Sequence, residues 1–459
     1  MGTTWSWLSP MQPLLTSENP PVGTEPMTEH TIAWLGSLSF AGSIIGALFW
    51  DIAADRLGRK MTLFLVAVPF IISWIMILVA QNVTWLLVAR LIAGLGNNGA
   101  TVVVPFFISE ISQDDLRGFF GSFFMIFSSA GMLFSNVVGY YLKYEGLAIS
   151  GMLIPIVFVL IFASIPETPV CLWQNKRYNK AKQTLLWYRG GDVTVTETEL
   201  LKYSAFTQTS QSKRPPLKAL IATKGNTKAL LIASASYMAF QASGILPIAA
   251  YSVSIFEICG TSINAFQSAI IIASVQLVFG CVGSPLVDRL GRKVLLGGTL
   301  LVSSACLAIL GGYLYFVADR SVNPVLEWIP ILSLSIHVIA FAVGIGPVPF
   351  VITSEIFPLE IKGLALAKLQ FLNCMFTFGF VKVFPDMIRY LGPYGCFWVF
   401  STLCVLTSAF FILYFPETKG KSQDEILRLL NGCDKENETE KLYAGYIPIK
   451  LASTERNNL

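Results

Sequence analysis

The chain has 459 residues, of which 54% are hydrophobic and 13% charged, with a mean hydropathy of +0.63. That balance excludes an ordinary water-soluble protein of several domains and makes a bundle of membrane-spanning helices the default. The formal net charge of +4 is small; its placement along the chain follows membrane topology, and it implies no nucleic-acid partner.

A helix needs about 20 apolar residues to cross the hydrocarbon, where an unpaired backbone N–H or C=O finds no partner. Taken in chain order, charge-free runs lie at 31–50, 61–89, 91–109, 118–142 and 146–166, then at 229–256, 258–287, 294–318, 328–354 and 390–416. A further run, 363–385, is interrupted by Lys368 and Lys382. The expected organisation is an N-terminal transmembrane bundle at 1–166, a linker with short helices at 167–228, a C-terminal bundle at 229–416 and a tail at 417–459. The opening MGTTWSWLSPMQPLL is too short to span and holds two prolines. It is expected to be an incomplete first helix in the outer leaflet, with no cleavable signal peptide.

Charge orients these spans. The linker carries eleven Lys or Arg against four acids, whereas residues 16–30 carry Glu18, Glu25 and Glu29 with no Lys or Arg. By the positive-inside rule the linker and the C-terminal tail face the cytoplasm.

The chain also repeats itself. DRLGRK at 55–60 returns at 288–293, and Ser109-Glu110-Ile111 returns as Ser354-Glu355-Ile356. Arg117-Gly118 returns as Lys362-Gly363, and Pro166-Glu167-Thr168 as Pro416-Glu417-Thr418. The order is kept and the offsets stay between 233 and 250 residues, which describes two homologous halves. Parallel repeats of this kind build secondary transporters, with the solute bound near mid-membrane between the halves.

Other chemistry is thin. The eight cysteines form no CxxC and read as small buried hydrophobes. Gly94 to Gly99 spells GxGxxG, but no strand precedes it, so close helix packing is the better explanation than a dinucleotide. No enzyme, cofactor or metal is expected: the chain has two histidines and no Walker motif or nucleophile paired with a base.

DRLGRK in both halves, ARLIAG around Arg90, SEISQDDLRG, PETP, YSVSIFEICG, GPVPF, SEIFPLEIKG and PETKGKSQDEI together resemble the sugar porters of the major facilitator superfamily, and most of all the insect trehalose and hexose facilitators. The resemblance implies an all-α membrane protein of two six-helix bundles related by a pseudo-twofold axis, working as a monomer in the plasma membrane. It implies facilitated transport of a sugar by alternating access. Asp55, Arg59, Arg90, Glu110, Arg117 and Glu167, with Asp288, Arg292, Glu355, Lys362 and Glu417, then correspond to the salt-bridge network that closes the inner gate. Arg90 is expected to pair with an inner-face acid such as Glu110.

The solute site departs from the family pattern. Amides supply the paired donors and acceptors that hydroxyls need, and aromatic faces cover the sugar ring. The family's glutamine, asparagine and tryptophan positions fall on Phe240, Leu246, Met125 and Phe350, while Gln241, Gln276 and Asn373 remain as amides. A weak sugar transporter, a transporter of a less polar solute and a non-transporting sensor all remain open on these residues. Lys382 is expected to reach the outer interface, and Lys368 to anchor the inner end of its helix.

Overall fold

The computed structural model describes residues 1–113, 116–209, 217–317, 326–421 and 423–431, and every regular element among them is helical. Two short helices, α1 (Gly2–Trp5) and α2 (Leu8–Leu15), precede the N-terminal spans α3 (Glu29–Gly46) with α4 (Trp50–Leu57), α5 (Arg59–Leu78), α6 (Val83–Ile111) and α7 (Arg117–Phe162). The linker holds α8 (Pro169–Gln174), α9 (Tyr178–Tyr188) and α10 (Val193–Thr209). The C-terminal spans are α11 (Lys224–Ala242) with α12 (Ile245–Ala250) and α13 (Ser252–Cys259), α14 (Ala265–Leu290), α15 (Arg292–Val317), α16 (Trp328–Ala340) with α17 (Val348–Ile356), and α18 (Leu359–Tyr414); α19 (Gln423–Asn431) follows.

Two of these helices fold back and supply two spans each. The reversal in α7 falls at Lys143 (φ 54°) and that in α18 at Gly392 (φ 73°), so the spans follow the apolar runs one for one. Their starts are set by side-chain caps that offset unpaired N–H groups: Thr28 accepts from the Thr31 N–H, Asn82 from Trp85 and Thr223 from Asn226. The cap at Asn82 starts the fourth span at Val83, so Arg90 lies two turns inside it and does not open it.

Small residues let the helices approach closely. A methyl at Gly94 would collide with the Ser39 carbonyl, one at Gly42 with the Leu91 carbonyl, and one at Gly96 or Gly99 with Phe70 or Val66. The GxGxxG glycines therefore serve helix packing, as lipid-embedded helices require.

The opening stretch is not lipid-facing. Trp7, Leu8, Met11 and Leu15 are fully buried, Gly139 packs on Pro10, and Ser9 bonds Asn136 of α7 (3.0 Å) and Ser252 of α13 (2.7 Å). Protein from both halves encloses it.

Contacts joining the halves run from mid-membrane to the end opposite the linker. Asn98 meets Cys374 (3.8 Å) and Gln276 meets Met132 (3.8 Å) in the middle. Towards the far end, Trp34 packs on Phe378 (6.3 Å), Tyr140 on Phe266 (5.6 Å) and Lys382 lies 4.7 Å over the Trp34 ring. Lys382 thus bridges the halves, where the sequence suggested a lone anchor at the outer interface.

Candidate functional site

At the linker end the repeated motifs meet in one arrangement, built twice. Gly58 and Gly291 sit between paired helices with φ of +92° and +88°, a region that only glycine enters cheaply. A Cβ there would come within 2.5 Å of a Glu167 oxygen and 2.9 Å of a Glu417 oxygen, respectively. This turn aims the next backbone N–H groups at those carboxylates. Glu167 accepts from the Lys60 N–H (3.0 Å), and Glu417 from Arg292 (2.9 Å) and Lys293 (3.1 Å). Burial raises the Glu417 pKa, but the N–H groups of Lys419, Arg292, Lys293 and Thr418 outweigh it and hold the carboxyl below its usual range.

The arginine that follows each glycine pairs with the glutamate of the SEI motif. Arg59 Nε reaches Glu110 Oε1 at 2.9 Å, and Arg292 Nη2 reaches Glu355 Oε1 at 2.9 Å. The second oxygen of each glutamate accepts a hydroxyl from the PET threonine, Thr168 (2.5 Å) in one half and Thr418 (2.7 Å) in the other. Asp55 adds a longer contact to Arg59 at 3.6 Å, and Lys362 lines a cleft with Glu355, Thr418 and Lys421. The side chains of Arg117 and Asp288 lie outside the described residues.

These described pairs each close within one half. They brace the end of a bundle, and both arginines are nearly buried, so the pairs are far better shielded than free surface ion pairs. The sequence repeats point to Arg59, Glu110 and Glu167 and to Arg292, Glu355 and Glu417 but pass over Thr168 and Thr418, although PET repeats in register with the other motifs.

Arg90 sits elsewhere. Twenty residues separate it from Glu110 on one helix, about 30 Å at 1.5 Å per residue. It is fully buried, donating to the carbonyls of Leu35 (3.0 Å) and Thr4 (2.7 Å) and to the Ser39 hydroxyl (3.2 Å), with its guanidinium 5.3 Å over Trp7. Its partners are dipoles and a ring that fasten α1 and α3 to α6, instead of the expected inner-face acid.

At mid-membrane Gln241, at the end of α11, donates to Asn373 (2.8 Å) and Thr377 (2.5 Å) of α18. Gln276 points at the other half. Phe240 lies edge-on to Phe341 (5.1 Å) and Phe350 (6.5 Å), and Tyr237 edge-on to Phe350 (5.5 Å). Leu246 is half-buried and packs against the main hydrophobic core. Met125 is exposed on α7, two turns from Met132 on the same helix face. The structure thus joins Gln241 with Asn373 and Phe240 with Phe350, and adds Thr377, which a search for amides alone passes over.

Two helical bundles joined by a linker, with duplicated charge clusters at one end and buried amides at mid-membrane, have the architecture of the major facilitator fold. The sequence profile described as "Sugar (and other) transporter" matches residues 11–430, and the chain belongs to that family. It is 33% identical to a facilitated trehalose transporter of Culex quinquefasciatus over 88% of this chain and 78% of that one. A namesake from Apis mellifera ligustica is 30% identical over 94% and 86%. With the one from Aedes aegypti identity is 33%, and there the chain spans about half the relative's length, 50%. Among solved structures, the inward open xylose transporter of E. coli superposes with a TM-score of 0.76 at 22% identity, over 93% of this chain and 97% of that one.

Proposed function

We propose that the chain carries a neutral sugar, a disaccharide such as trehalose or a hexose, down its gradient by alternating access. The observation that carries this is the Gln241–Asn373–Thr377 cluster, a set of amide and hydroxyl groups held inside an apolar helix bundle at the seam between its halves. Burying polar groups there is costly unless a polar solute or its partners use them. The names of the insect relatives support a sugar.

The contacts among the described residues support a conformation open at the linker end. Contacts between halves at mid-membrane and the far end hold that side shut, while the described linker-end ion pairs leave each half separate. The repeated clusters of Arg59, Glu110 and Glu167, and of Arg292, Glu355 and Glu417, act as rigid ends that dock when the solute faces the other side. A single chain in the plasma membrane forms the whole pathway, with linker and C-terminal tail in the cytoplasm, as the surplus of basic residues at 167–228 supports.

Uptake of labelled trehalose and D-glucose into oocytes, with surface protein measured in the same cells, tests this. Saturable uptake of either is expected. Normal surface expression without uptake of either would overturn it.

A further inference from the structure

The polar groups at mid-membrane extend beyond the Gln241 cluster. Gln370, Asn373, Cys374 and Thr377 fall at i, i+3, i+4 and i+7 and so share one face of α18. Gln241 of the C-terminal half binds this stripe at Asn373 and Thr377, and Asn98 of the N-terminal half binds it at Cys374, the very next residue. The two amides therefore meet α18 at the same depth from opposite halves.

Both are left half-satisfied. Asn98 and Gln241 are each 1% exposed, yet among the described residues Asn98 Oδ1 and Gln241 Oε1 have no hydrogen-bond partner. The Asn98 amide N–H reaches only a thiol sulfur, a weak acceptor shared with Gln370 at 3.8 Å. Beside it Asn97, also 1% exposed, accepts from the Thr4 hydroxyl at 2.7 Å while its Nδ2 lacks a partner.

We propose that Asn98 is a solute-contacting, specificity-determining residue, and that Asn98 Oδ1 and Gln241 Oε1 together accept hydrogen bonds from hydroxyls of a neutral, polyhydroxylated solute spanning the seam. A hydroxyl carries one donor and two acceptor sites, so two such groups satisfy the two carbonyl oxygens, one each, and a hydroxyl oxygen accepts from the Asn97 amide. A less polar solute would leave all three without a hydrogen-bond partner once the halves close around it. The contact also accounts for the substitutions at Met125, Phe240 and Leu246. Amides absent from α7, α11 and α12 are replaced by amides on α6, inside GLGNNGA, so recognition has moved across the seam. A solute held by both halves favours their closing around it, which alternating access requires.

This inference rests on the sugar-transport reading, and its test separates the two. Purified wild type and Asn98→Ala are compared in proteoliposomes for labelled trehalose and D-glucose uptake, with 2-, 3-, 4- and 6-deoxy-D-glucose as competitors. Loss of one hydroxyl contact should raise KM about two- to tenfold with a smaller change in kcat. It should also abolish the wild type's discrimination against one particular deoxy sugar, a change that a general packing defect would not make. Should Asn98→Ala fail to reach the membrane, Asn98→Ser supplies the same comparison. Wild-type uptake with an unchanged KM and unchanged deoxy-sugar ranking in the variant overturns the role of Asn98. Absence of wild-type uptake overturns the transport reading itself.

Discussion

Lys382→Met removes one charge while keeping most of the stem, and it should shift the balance between the two access states. Lys382 lies 4.7 Å over the ring of Trp34, which belongs to the other half. The contact exists with the far end closed and must break when that end opens. A cation over an indole is worth about 0.5–2 kcal/mol, rising as water is excluded, and Lys382 is half-buried. Each 1.4 kcal/mol is tenfold, so losing the contact should raise the odds of the linker-closed state by about two- to thirtyfold. Spin labels at Leu116→Cys and Lys421→Cys, both exposed and on opposite halves at the linker end, report those odds by double electron–electron resonance. Cys281, which is exposed, and Cys433 are changed to Ser so that only the introduced thiols react. The short-distance population should grow in Lys382→Met, and Trp34→Leu should do the same. An unchanged distance distribution in both variants would refute the latch.

Gly58→Ala and Gly291→Ala each place a methyl in a left-handed turn against a carboxylate. Each should lower stability by about 1–3 kcal/mol, read as a drop in Tm in detergent, whereas Gly121→Ala, where a methyl meets nothing, should be neutral. Double-mutant cycles should show coupling for Arg59 with Glu110 and for Arg292 with Glu355, and additivity for Arg59 with Glu355. Strong coupling across the halves in the linker-open state would contradict the wiring. Thr168→Val and Thr418→Val each leave a shielded carboxylate oxygen short of a donor and should cost about 1–2 kcal/mol, again seen in Tm. Phe240→Gln restores the glutamine of the family pattern, but Phe240 is buried and edge-on to Phe341 and Phe350. The glutamine would sit unpaired among rings, so lower surface expression without tighter binding is expected.

Much of the fold was legible because hydrocarbon imposes a simple rule: charge-free runs of sufficient length must be helices. The repeat of DRLGRK, SEI and PET exposed the two halves without any structure. What sequence could not place were features set by local caps and by seams between helices. The run 61–89 is continuous in hydropathy, so only the Asn82 cap, which reads equally as a loop residue, shows that Arg90 lies well inside a helix. A buried arginine suggests an acid partner at the inner face, and here carbonyl dipoles suffice, so Arg90 sits far from Glu110. Asn97 and Asn98 read as small-residue packing because their neighbours are glycines. Their half-satisfied amides emerge only when α18 is seen against α6.

Exchange of labelled sugar across a vesicle wall tests the central claim most directly. Proteoliposomes loaded with unlabelled trehalose or D-glucose, with no ion gradient, receive the labelled sugar outside. The account predicts rapid, saturable entry of label by counterflow that relaxes to equal concentrations without net accumulation. Entry no faster than in protein-free liposomes, for both sugars, would contradict it.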